Sequence, residues 1–95
     1  KTKAMANLHL IASSPSKTRL DELRATISQA DALLFIEDGV YFAATNDILT
    51  SLPTQEIFFL SEDAATRGIE LSARAVDYAG FVDLTVQYER SVSWY

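Results

Sequence analysis

Ninety-five residues are enough for one hydrophobic core and too few for two, so a single domain is expected. With 48% hydrophobic and 22% charged residues, the composition is that of a globular chain and excludes a disordered or membrane-spanning one. Eight basic against 13 acidic side chains, a net charge of −5, disfavour direct binding to nucleic acid or an anionic membrane, and the absence of cysteine excludes disulfides, thiolate metal sites and cysteine nucleophiles.

Lys1 to Ala4 precede the only methionine, Met5, and read as residues ahead of a native start, which places the domain over residues 5–95. There is no apolar run of a secretory signal and no stretch of about 18 apolar residues to cross a bilayer, so a cytoplasmic location is expected. The run Leu8, His9, Leu10, Ile11 and Ala12 has strand length, and Ser14 followed by Pro15 offers an N-cap and a first helical residue. Leu20, Leu23, Ile27 and Ala30 then recur at helical spacing, with Arg19, Asp21, Glu22 and Arg24 facing elsewhere, which predicts an amphipathic helix. Asp31 breaks the pattern. The continuous apolar run from Ala32 to Ile36 predicts a central strand buried on both faces.

Glu37, Asp38 and Gly39 form a turn, and Val40 to Leu49 reads as a second helical segment ending near Pro53. Ile57 to Leu60 is another apolar strand, Ser61 the expected cap of a short helix with Glu62 and Asp63 in its first turn, and Gly68 its C-terminal stop. A weaker strand at Ala75 and Val76, a helix from Tyr78 to Val86 and a tail ending in Ser93, Trp94 and Tyr95 complete the chain. Strands alternating with helices predict a three-layer α/β/α sandwich on a mainly parallel sheet, joined by right-handed crossovers.

Ligands of such sheets sit beyond the carboxyl ends of the strands, where Glu37, Asp38, Glu62, Asp63 and Asp77 fall. They suit either acid/base or cation chemistry or the complementing of helix N-termini; their spacing matches no metal motif, and three glycines cannot build a phosphate cradle. No metal or cofactor is expected. His9, the only histidine, is either a proton shuttle or a hydrogen-bonded histidine at a packed sheet or subunit surface, and no nucleophile stands beside it in sequence. Ser13, Ser14 and Ser16 lack a nucleophile-elbow context and read as caps and turn formers. The aromatic residues are abundant for so small a core; Tyr41, Phe42, Phe81 and Trp94, with His9, are the candidates for contact with partners or with another copy.

Leu8-His9-Leu10, Ser14-Pro15, the block from Ala32 to Tyr41, the stretch Leu60-Ser61-Glu62-Asp63 with Ala65, Arg67 and Gly68, and the run from Asp77 to Val86 ending in Ser93-Trp94 together resemble the TusB/DsrH family from Met5 onward. The resemblance implies a DsrE-like, flavodoxin/Rossmann-like fold. It further implies a subunit that joins TusC/DsrF-like and TusD/DsrE-like sisters in a heterohexamer relaying persulfide sulfur, either towards 2-thiolation of the tRNA wobble uridine or in dissimilatory sulfur oxidation. Members of the dissimilatory branch can carry a cysteine in the first helix; the corresponding place here is Leu23 or Arg24. Without a thiol the chain is expected to be a structural subunit and not an enzyme, in the tRNA branch. A stand-alone homo-oligomer with a small-molecule or regulatory role is the alternative.

Overall fold

The computed structural model describes residues 3–45, 49–71 and 74–94. Five strands, β1 (Lys3–Ile11), β2 (Ala32–Phe35), β3 (Ile57–Leu60), β4 (Ala75–Val76) and β5 (Tyr88–Trp94), pair in the order β4-β3-β2-β1-β5, and every pairing is parallel. Helices α1 (Lys17–Thr26), α2 (Ser61–Thr66) and α3 (Tyr78–Gln87) and a 3-10 segment, Glu37–Thr45, make the connections.

The first four strands step in one direction across the sheet, while the connection from β4 to β5 returns over the whole width. Crossovers of one hand therefore place α3 on the opposite face from α1. Alternation along β1 carries this into the core. Ile11 joins Leu23, Ile27, Leu33, Phe35, Phe42 and Phe59 on the α1 face, and Ala6 and Leu8 join Leu34, Leu84 and Tyr88 on the α3 face. β2 lies at the centre with all four residues buried, so the expected α/β/α layering and central strand are present.

The local departures have physical reasons. Ser16, not Ser14, caps α1: its hydroxyl accepts the Arg19 N–H at 3.0 Å, while Ser13 accepts from the Arg19 guanidinium at 3.1 Å. Two cap-forming serines flank Pro15, and the later one reaches the orphan amide. The helix ends at Thr26, leaving Ala30 exposed. The expected helical segment from Val40 to Leu49 begins as a 3-10 segment over Glu37–Thr45, and Leu49 is again helical; Val40, Tyr41 and Phe42 are poor α-helix formers, and the Thr45 hydroxyl donates to the Phe42 carbonyl at 2.8 Å, tightening the last turn. Residues 46–48 of that expected helix lie outside the described residues.

Ser61 is the first residue of α2, which has no side-chain cap. At its other end Gly68 (φ +68°) closes a Schellman turn, with Gly68 N–H on the Ala65 carbonyl at 3.1 Å and Ile69 N–H on the Ala64 carbonyl at 2.9 Å. The expected tail is the edge strand β5, in register with β1 from Asn7↔Arg90 to Ile11↔Trp94. Gly39 packs its backbone against the end of β1, where a Cβ would overlap the Ile11 carbonyl.

Candidate functional site

The parallel sheet gathers the ends of its strands on one side. The acidic turns sit there, and the carboxylates of Asp38, Glu62, Asp63 and Asp77 already have work within the fold. Glu37 leaves β2 in the left-handed region (φ +49°), and its N–H donates to the Asp63 carboxylate at 2.6 Å. Asp38 accepts from the Arg67 guanidinium at 3.0 Å, and the same guanidinium donates to the Asp63 carbonyl at 3.2 Å. Glu62 accepts from the Ser61 hydroxyl at 3.1 Å and from the Tyr78 N–H at 3.3 Å. Asp77 caps α3 by accepting the Gly80 N–H at 2.8 Å. These contacts tie the end of β2 to α2, and α2 to the start of α3. They hold helix termini, as negative side chains near first turns do, and among the described residues no group of histidine and carboxylate side chains is arranged to hold a metal ion.

His9 lies on the α1 face of the sheet, 3% exposed. Indole nitrogen is a donor only, so the Trp94 Nε1–H, 3.0 Å away, donates to His9 Nδ1. That puts the ring proton on Nε2, which donates to the Asp31 carboxylate at 2.9 Å. Asp31 sits just before β2; it also accepts the Asn7 N–H at 3.0 Å and the Ser28 N–H at 3.1 Å. Burial acts to raise the pKa of Asp31, but the bonds from Asn7, His9 and Ser28 outweigh it and hold the carboxyl below its ordinary value. The Arg19 guanidinium lies 5.2 Å over the Trp94 ring, joining α1 to the same cluster. The whole Trp94–His9–Asp31 chain fastens β5 to β1 and β1 to the approach to β2. It presents no open nucleophile or leaving-group position.

The five partner candidates lie in different surroundings within the chain. His9 is enclosed by its own chain, and Phe42, 1% exposed, lies in the α1-face core with its ring tilted 31° to that of Phe35 at 4.7 Å. Phe81 packs half-buried on the opposite core, Trp94 is half-buried over His9, and Tyr41 is exposed. A cavity of about 320 Å³ opens between the start of α1 and the 3-10 segment, lined by Pro15, Ser16, Lys17, Leu20, Phe42 and Thr45. Sequence reasoning missed the role of Asp31, read only as a break, whose placement immediately before an apolar strand was the available signal. It also did not single out Val82 and Val86, which are exposed in line with Tyr78; the four-residue spacing of the three opposite Phe81, Leu84 and Tyr88 was legible in the chain.

A parallel α/β/α sandwich in which the single histidine and the carboxylates of Asp38, Glu62, Asp63 and Asp77 help to hold the fold together is the class of protein that this structure defines. The profile of the DsrH-like protein family matches residues 13–91, most of the chain, and the chain belongs to that family. It is 35% identical over 94 residues to Protein TusB of Pectobacterium parmentieri and 36% identical over 94 residues to Protein TusB of Salmonella dublin, each alignment covering 92% of this chain and 99% of the relative. Among solved structures, the solution NMR structure of a Thermotoga maritima protein superposes with a TM-score of 0.68 at 19% identity, over 84% of this chain and 91% of the other, and shows the same fold. Among the described residues no helix is long and apolar enough to cross a membrane.

Proposed function

We propose that this chain is a non-catalytic structural subunit of a sulfur-relay complex, which passes persulfide sulfur towards 2-thiolation of the tRNA wobble uridine. Its partners in this reading are TusC/DsrF-like and TusD/DsrE-like sister subunits. One observation carries it: a member of the DsrH-like family that aligns almost end to end with TusB proteins has no cysteine. In a persulfide relay a thiolate attacks the terminal sulfur of the donor persulfide, the S–S bond breaks, and the donor leaves as a thiolate. A chain without sulfur nucleophiles can shape and hold the acceptor but cannot be the acceptor. The geometry of the strand ends supports this, since the residues that a hydrolytic or metal-dependent reaction would use are engaged as caps and ties.

The test is to incubate the chain, alone and together with its two sister subunits, with a cysteine desulfurase and cysteine, and to weigh each chain. The expected result is a gain of one sulfur mass on a sister and none here. A stable sulfur adduct on this chain overturns the structural reading.

The cavity between α1 and the 3-10 segment favours a second reading, a stand-alone homo-oligomer that binds a small molecule there. A chain that ignores its sisters in co-expression would support it.

A further inference from the structure

The two faces of the sheet are covered unequally. Among the described residues, ten core residues are buried on the α1 face, with Leu20, Ala43, Leu71 and Trp94 partly covered. On the α3 face six are buried, and Leu10, Ile36, Phe58, Val76 and Phe81 are partly covered. One helix spans this side, and its outward surface is apolar as well: Tyr78 is 54%, Val82 60% and Val86 67% exposed. Spaced by four, these side chains lie one above another along α3. The inward positions Phe81 and Leu84 are already in the core, so the stripe is surplus to the fold. An aligned run of exposed apolar side chains beside an incompletely covered sheet face marks an interaction surface more than chance exposure does.

The charge around the stripe selects the occupant. Asp83 is the only charged residue of α3, and there is no basic residue in it. Asp83 is exposed, and among the described residues no cation pairs with it. A second copy, packed antiparallel about a two-fold axis at Val82, would bring both Asp83 carboxylates to the same side of the seam within about one helical turn. That is like-charge juxtaposition at a desolvated edge. A different chain with an apolar face and a lysine or arginine at its rim has no such conflict.

We propose that the Tyr78, Val82 and Val86 stripe of α3, with Asp83 at its flank, is the docking face for a different subunit that presents an apolar surface edged by a basic residue. This rests on the sulfur-relay reading, because it takes that subunit to be one of the two sisters.

The test is native mass and sedimentation measurement of the chain co-expressed with its TusC-like and TusD-like sisters, for the wild type, Val82→Glu and Asp83→Lys, with thermal unfolding of each variant alone. Val82 and Asp83 point outward, so both variants are expected to unfold at the wild-type temperature and to lose affinity for a sister by tenfold or more. If Val82→Glu does not fold, Val86→Ser is read by the same criterion. Variants that assemble like the wild type overturn the docking face and leave the subunit reading standing. A wild-type chain that binds neither sister overturns both. A homodimer of the chain alone that Val82→Glu dissociates overturns the choice of occupant.

Discussion

Replacing His9 by alanine tests whether the histidine is a structural tie. The substitution removes two hydrogen bonds at once, Nε2–H to the Asp31 carboxylate at 2.9 Å and Trp94 Nε1–H to Nδ1 at 3.0 Å. A hydrogen bond to a charged group contributes about 1.5–3 kcal/mol, and an indole N–H left without its partner costs about 1–3 kcal/mol. Asp31 keeps the Asn7 and Ser28 amides and Trp94 is only half-buried, which favour the lower end of both ranges. With the space left by the ring added, the expected loss is about 3–4 kcal/mol, a large share of the 5–15 kcal/mol typical of a domain. Urea unfolding followed by circular dichroism and by the fluorescence of the single tryptophan measures it. Trp94→Phe and the double variant complete a cycle in which the pair should couple by about 1 kcal/mol. A loss under about 1 kcal/mol for His9→Ala, or strictly additive single effects, would refute the tie.

Asp31 has a lowered carboxyl pKa in the folded chain, so it contributes stability above its unfolded-state value, lost as pH falls through the folded one; Asp31→Asn should therefore lose stability at neutral pH and show a shallower acid limb, read from urea midpoints between neutrality and strong acid. Gly39→Ala should cost about 1–3 kcal/mol, because the new methyl meets the Ile11 carbonyl, which already accepts the Ile36 N–H at 3.0 Å; thermal unfolding reads this as a fall of several degrees. Asp77→Ala should lose about 1 kcal/mol as the Gly80 N–H loses its cap, and Asp77→Asn should recover most of it in the same assay.

The layering was legible because β2 and β3 are apolar without interruption and α1 carries its apolar residues at helical spacing; burial on both faces leaves a compositional trace. β5 left none. Its run Tyr88-Glu89-Arg90-Ser91-Val92-Ser93-Trp94 lies at an edge and is mostly exposed, so only pairing with β1 distinguishes it from a polar tail. The helical segment after β2 was legible, but its 3-10 form and its start at Glu37 were not, because periodicity does not record the close approach of Gly39 to β1. At the site, the acidic residues follow β2, β3 and β4 in the chain, but whether carboxylates converge on a ligand or disperse onto amides depends on loop geometry. His9 and Phe42 show the same limit in reverse: an aromatic or imidazole ring that suits an interface also suits a buried position, and their burial within the chain was not legible from residue type.

The most direct test of the sulfur-relay reading is mass spectrometry of tRNA nucleosides from a strain deleted for this chain alone, with and without the gene restored. The account predicts that wobble 2-thiouridine falls sharply on deletion and returns with the wild-type gene, although no residue of this chain carries the sulfur. Unchanged 2-thiouridine in the deletion strain would contradict it.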